Sequence, residues 1–183
     1  MEYRRNSYCS YCGHRFPEPI VSDASCGACK EKTWVNPIPV SVLLLPIIDA
    51  DGRIGILLTR RGIPPFEDEW CLPGGHLEIS DGSFETAAAR ECREETGVTL
   101  PKGWPISLVS SRVGTWDGLC RVIVDSRADP IPFSLVPHPF TPKPEVLEIK
   151  LAYRPSPLCF ETHTALLAWY FSRQHAIDTG RSC

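Results

Sequence analysis

Glu91, Glu94 and Glu95 stand at i, i+3 and i+4, the spacing that places side chains on one face of an α-helix. Carboxylates held that close repel one another, and their pKa values rise unless something compensates. A hard divalent cation compensates, and oxygen ligands of this kind suit Mg²⁺ or Mn²⁺. Mg²⁺ is usually held by a few carboxylates together with substrate phosphates, so the cluster points to phosphate chemistry. Arg90, one residue before the cluster, reaches Glu94 at i, i+4. The plain alternative for such a run is a solvated acidic helix face.

The residues around the cluster predict the helix that must carry it. From Phe84 to Thr96 there is no Pro or Gly, and the Ala-Ala-Ala-Arg-Glu run at 87–91 is strong helix-forming composition. Ser83 suits the N-cap, Glu85 favours the positive end of the helix, and Gly97 suits the position after the C-cap. Phe84, Ala87 and Ala88 share one face, which meets the three glutamates one and two turns later. A helix that packs with its first half thus presents carboxylates with its second.

Gly75 and the run Arg90-Glu91-Cys92-Arg93-Glu94-Glu95-Thr96-Gly97-Val98 resemble the Nudix box, Gly-x5-Glu-x7-Arg-Glu-U-x-Glu-Glu-x-Gly-U, where U is bulky and aliphatic. There are two departures. The segment from Gly75 to Arg90 is one residue longer than the pattern, and the isolated early Glu is replaced by Asp81 or Gly82, depending on where the gap falls. Cys92 stands at a U position, a mild change because a buried thiol behaves as a small hydrophobe. In the family the missing Glu supports the loop more than the chemistry, so altered loop geometry and retained activity are expected.

The resemblance implies an α/β/α sandwich with a mixed sheet and a Mg²⁺- or Mn²⁺-dependent pyrophosphohydrolase. Glu94 and Glu95 are then the principal metal ligands, the Gly75 carbonyl a further one, and Glu91 both ligand and base, held by Arg90. An additional acid near the metals falls on Glu145, with Glu148 second. Arg61, His76, Glu78 and Trp116 are the substrate-binding candidates. The implied substrate is a nucleoside diphosphate joined to a sugar or second nucleotide, such as ADP-ribose, NADH or FAD. Nucleoside triphosphates are the alternative, and a regulatory nucleotide-binding module without turnover is a further one.

Cys9-x2-Cys12 and Cys26-x2-Cys29 read as two zinc knuckles completing one closed, structural Zn²⁺ site. With four thiolates no coordination position stays open for catalysis; His14 is a weaker ligand candidate. Residues 1–36 therefore read as a zinc ribbon, followed by a catalytic domain over 37–183 with the join near 34–40. The ribbon is similar to that preceding the catalytic domain of some Nudix proteins, NADH pyrophosphatases among them. Their Ser-Gln-Pro-Trp-Pro-type signature has no counterpart here.

Elsewhere the pattern predicts strands at 40–48 and 54–59 joined by an Asp-Gly turn, and a second hairpin from 106–113 to 119–125. Trp70 reads as a packing anchor. Six prolines between 130 and 144 predict an irregular extended loop bordering the site. A strand over 145–153 and a helix capped by Thr162 or Thr164, with Leu166, Leu167, Tyr170 and Phe171 in the core, complete the chain.

Net charge of −3 and pI near 6.0 argue against a general nucleic-acid binder. No stretch has the length and apolarity of a membrane span, and the first residues lack the apolar core of a signal peptide. Nine cysteines, four of them at metal spacing, suit a reducing cytoplasm better than a disulfide scaffold. The expected partner is a small nucleotide, with a homodimer as candidate assembly.

Overall fold

The structure, a computed structural model, describes residues 5–116 and 119–178, except for the side chains of residues 116 and 175–178. Its first part is built around the four early cysteines. Strands β1 (Ala24–Ser25) and β2 (Lys32–Thr33) pair antiparallel. The Sγ atoms of Cys9, Cys12, Cys26 and Cys29 all lie within 4.8 Å of one another. Cys9–Cys29 and Cys12–Cys26 are each 3.7 Å apart. Tetrahedral Zn–S bonds of about 2.3 Å place sulfurs about 3.8 Å apart, so the donor set fits Zn²⁺.

Each knuckle turns its backbone N–H groups onto a sulfur: Tyr11 N–H onto Cys9 and Ala28 N–H onto Cys26, both at 3.4 Å. The left-handed residue after each second cysteine is Gly13 (φ +71°) and Lys30 (φ +68°). Gly27 has no such demand, so the second knuckle turns on a lysine rather than a glycine. Cys9, Phe16 and Cys26, with Ile20 against them, form a small core of their own. The His14 side chain is not among the clustered ligands; its backbone carbonyl accepts the Cys9 N–H at 2.8 Å.

The main body begins at β3 (Ile38–Leu44), followed by β4 (Pro46–Ile48), β5 (Ile54–Arg61), β6 (Trp70–Cys71) and β7 (Gly74–His76). A 3-10 turn over Ile79–Asp81 then leads into α1 (Phe84–Thr96). After it come β8 (Ile106–Trp116), β9 (Leu119–Ala128), β10 (Ile131–Pro132), β11 (Val146–Ala152) and α2 (Glu161–Asp178). One sheet has the order β7-β3-β9-β8, with β3 parallel to β9 and antiparallel to β7. The other runs β10-β4-β5-β11, with β6 also on β5.

Side-chain alternation along the strands builds the two layers between sheets and helices. Val42, Leu44, Ile56 and Leu58 pack with Leu166, Leu167, Tyr170 and Phe171 of α2. Leu43, Leu45 and Leu57 turn the other way, onto Ala88 and Cys92 of α1. The result is the expected α/β/α arrangement with mixed sheets. Cys92 is fully buried, and burial pushes its thiol up to about 12, as for the small hydrophobe its position requires.

Four elements differ from the sequence reading. The strand expected over 40–48 is two, split at Leu45. Pro46 follows with no N–H to donate, and the chain passes there from one sheet to the other. The second hairpin is longer than expected, its strands running to Trp116 and resuming at Leu119, with the intervening two residues outside the described set. The proline-rich segment is not wholly loop: β10 pairs parallel with β4, and Ile131 and Val136 are buried beneath α1. At that sheet edge Pro132 forfeits no ladder bond. The last helix starts at Glu161, ahead of both proposed caps, and Thr164 instead ties down the entering chain by accepting the Leu158 N–H at 2.9 Å.

Candidate active site

Helix α1 forms because its ends are fixed as its sequence demands. The Ser83 hydroxyl accepts the Thr86 N–H at 3.2 Å, and Gly97, at φ +79°, donates its N–H to the Arg93 carbonyl at 2.8 Å. Ala87 and Ala88 are fully buried, and the Ser41 hydroxyl donates to the Phe84 carbonyl at 2.7 Å, fastening the helix start to β3. One and two turns on, Glu91, Glu94 and Glu95 line a cleft of about 570 Å³.

Arg90 organises this cleft. Its Nε and Nη2 donate to Asp81 at 2.8 and 3.0 Å, and Nη2 also reaches the His76 carbonyl at 2.8 Å. Nη1 donates to Glu91 Oε1 and Glu94 Oε2, each at 2.9 Å. One guanidinium therefore ties the loop, through Asp81 and His76, to two carboxylates of the helix. Asp81, with the Glu78 N–H also donating to it at 2.7 Å, is held below the usual carboxylate range chiefly by Arg90. Counted from Gly75, the place of the early Glu is Asp81, and the extra residue falls behind it at Gly82, which takes φ +73°.

The glutamates differ in environment. Burial pushes the Glu91 carboxyl up against the opposing pull of Arg90. Burial also pushes Glu95 well above its ordinary value, reinforced by Cys71 and Glu91; the Gly74 N–H donates to Glu95 at 3.2 Å. Glu94 is half exposed and shared between Arg90 and Arg93. A Cβ on Gly75 would lie 2.5 Å from the Glu91 carboxylate, so only glycine allows that approach. These carboxylates, with the neighbouring Gly75 carbonyl, form a hard oxygen donor set that fits Mg²⁺ or Mn²⁺, whose charge relieves the buried repulsion. Among the described residues only the four cysteines already bring three or more ligand atoms within 4.8 Å of one another. The glutamates share one cleft without clustering so tightly.

Glu145 lines the same cleft, and its carbonyl accepts the Gly62 N–H at 2.8 Å. Glu148 does not line it, being paired with Arg60. Arg61 lines it while donating to the Pro65 carbonyl at 2.7 Å. His76 and Glu78 are at the rim, exposed, beside Arg90. The Trp116 side chain lies outside the described residues. Trp70 packs against the α2 core with Lys150 over its ring, as an anchor. Of the segment expected to border the site, 130–144, no residue lines the cleft; Ile131 and Val136 face the core instead.

The sequence reading missed several cleft residues, among them Val40 and Val42 on β3, Arg121 and Ile123 on β9, and Phe160, Thr162 and His163 at the entry to α2. The two-residue period from Arg121 to Ile123 marks one face of β9 and was the available signal. Nothing local distinguishes Phe160 and His163 from ordinary helix-entry residues.

Residues 37–117 match the family model of the NUDIX domain. The chain is 33% identical over 90 residues to the ADP-ribose pyrophosphatase of Methanocaldococcus jannaschii, covering 49% of this chain and 48% of that protein. It is 30% identical over 118 residues to the zebrafish (Danio rerio) m7GpppN-mRNA hydrolase NUDT17, covering 63% of this chain and 35% of that protein. The chain thus spans less than half the length of these relatives. Among solved structures, a NUDIX hydrolase from Nitrosomonas europaea superposes with a TM-score of 0.62 at 22% identity, over 92% of each chain. The NUDIX domain of Shewanella oneidensis NrtR, complexed with ADP-ribose, superposes with a TM-score of 0.61 at 21% identity, over 76% of this chain and 89% of that one. By its family match, its fold and the arrangement of helix α1, this chain carries a Nudix domain.

Proposed function

We propose that the protein is a metal-dependent pyrophosphohydrolase that cleaves the diphosphate of a nucleoside diphosphate joined to another group, with ADP-ribose the favoured example. The observation that carries this reading is Arg90, which holds Glu91 and Glu94 from one guanidinium at the mouth of a cleft also lined by Glu95 and Glu145. The resemblance to an ADP-ribose pyrophosphatase supports the substrate class. Within this reading residues 1–36 are a structural zinc ribbon and 37–183 the catalytic domain.

Glu91, Glu94, Glu95, Glu145 and the Gly75 carbonyl would hold Mg²⁺ or Mn²⁺, which supplies charge neutralisation at the diphosphate and a more acidic attacking water. Glu91 would accept a proton from the attacking water, the task of a general base. Arg90 fixes the orientation of Glu91, and Asp81 fixes Arg90. Gly75 leaves the space into which Glu91 reaches.

The test is a panel of nucleoside diphosphate derivatives and triphosphates assayed with Mg²⁺ for nucleoside monophosphate release. ADP-ribose or a dinucleotide should give the highest kcat/KM. A triphosphate preferred by about tenfold or more, roughly 1.4 kcal/mol, would change the substrate class. Hydrolysis of nothing on the panel would remove the enzymatic reading altogether.

A further inference from the structure

Part of the cleft plays no role in the diphosphate chemistry. Val40, Val42 and Ile123 line it from the strands, and Phe160, Thr162 and His163 from the start of α2. His163 is only 7% exposed. Its Nδ1 accepts the Leu72 backbone N–H at 3.2 Å. A backbone amide can only donate, so Nδ1 is unprotonated and the neutral ring carries its proton on Nε2. Burial, with Arg112 and Arg61 adding, pushes this imidazole down to about 3, which keeps it neutral at ordinary pH. Among the described residues no acceptor meets the Nε2–H. A nine-tenths-buried donor is thus oriented by the Leu72 backbone and left for a partner in the cleft.

Beside it stands an aromatic surface. The Phe160 ring lies 4.9 Å from the imidazole and 5.2 Å, edge to face, from Phe66, with Arg61 5.5 Å from its centroid. These contacts hold the ring in place. A flat heterocycle with acceptors on its edge is what such a surface and such a donor match, since every base offers a π-face for stacking.

We propose that this part of the cleft is a nucleobase subsite, in which the His163 Nε2–H donates to a ring nitrogen or carbonyl oxygen of the base while Phe160, Val40, Val42 and Ile123 cover its faces. The inference rests on the reading of the cleft as a nucleotide site and adds the residues that select the nucleoside. A fixed donor favours a base edge that offers an acceptor and rejects one that presents an N–H there. The cleft, at about 570 Å³, falls within the usual range for small-molecule pockets.

Two substitutions isolate the donor. His163→Asn keeps an oxygen near the Nδ1 position to accept the Leu72 N–H but places nothing at Nε2, whereas His163→Gln restores an N–H near the Nε2 position. Steady-state kinetics with Mg²⁺ would compare ADP-ribose with 5-phosphoribosyl 1-diphosphate, a diphosphate that has no base. His163→Asn should raise KM for ADP-ribose by about tenfold relative to its effect on the base-free compound, and His163→Gln should recover most of the loss. Phe160→Ala, checked for folding by thermal melting, should show the same base-dependent loss. Equal losses on both compounds, or Gln no better than Asn, would overturn the subsite. If wild-type protein turned over neither compound, ADP-ribose would fall as the substrate, a failure of the functional reading that leaves the subsite still to be decided. The subsite would then be read by calorimetric binding of ADP-ribose against ribose 5-phosphate. A base-dependent loss of affinity in His163→Asn supports it, while no binding of ADP-ribose, or equal losses, overturns it.

Discussion

Asp81 and Arg90 are joined by two parallel hydrogen bonds, 2.8 Å from Nε to Oδ1 and 3.0 Å from Nη2 to Oδ2, with the Asp81 side chain 2% exposed. This fork-to-carboxylate contact does for the loop what the early Glu of the Nudix pattern would be expected to do. It also fixes the guanidinium that holds Glu91 and Glu94. Asp81→Ala should therefore cost about 3 kcal/mol of stability, as removal of one partner of a buried pair does. It should also lower kcat by about tenfold through loss of Glu91 orientation. Denaturant unfolding and steady-state kinetics on one preparation check both; a variant of full stability and normal kcat would contradict the role.

Gly75→Ala separates position from fold. The three atoms nearest the added Cβ all belong to the Glu91 carboxylate, at 2.5–2.6 Å, the far end of a flexible side chain that can shift while the backbone stays. The melting temperature should stay within a few degrees of wild type, while kcat falls by about tenfold or more as Glu91 is displaced. Unchanged kcat would mean that Glu91 does not act from the place it occupies here.

The Cys9, Cys12, Cys26, Cys29 cluster should retain one Zn²⁺ per chain through purification without added metal. Stripping it should unfold the first ~35 residues and leave α1 and the sheets intact, because structural zinc contributes folding energy directly. Elemental analysis and amide exchange with and without a chelator report on this. Substoichiometric zinc in fully folded protein would contradict it.

His163 sets a pH dependence of stability. Its folded pKa of about 3 lies below its ordinary value of 6.5, so between those values the unfolded chain binds a proton that the folded one does not. Stability contributed by the neutral imidazole is complete above about pH 6.5 and is lost as pH falls toward 3, by about 1.4 kcal/mol per unit within that window. Wild type should lose stability between pH 6 and pH 4.5 more steeply than His163→Asn by about that slope. Parallel curves would show that the imidazole titrates normally.

Much of this arrangement is legible in the sequence because it is local. Helix α1, its Ser83 and Gly97 ends and the Arg90–Glu94 pair follow from spacing and capping alone, and the cysteine spacing likewise announces a closed four-sulfur site. What is not legible depends on distant segments meeting. The split at Leu45 is decided by which sheet each half joins, with Pro46 the only local mark. The proline-rich segment turns inward because Ile131 and Val136 find Cys92 and Val98 beneath α1. His163 reaches the cleft only because its imidazole bonds the backbone of Leu72, 91 residues earlier. Identity and spacing show which side chains can act together on one helix, but not which remote ones complete the pocket.

The central claim is that the carboxylates of α1 carry out metal-dependent diphosphate hydrolysis. Its most direct test is the Mg²⁺-dependent rate of ADP-ribose hydrolysis by wild type, Glu94→Gln and Glu95→Gln, each variant confirmed folded by thermal melting. Each substitution removes one metal-binding charge from the cleft and keeps the shape of the side chain. The account predicts a loss of more than roughly a hundredfold in both variants, since metal stabilisation of the transition state is worth several kcal/mol. Near-normal turnover by both at saturating Mg²⁺ would contradict it.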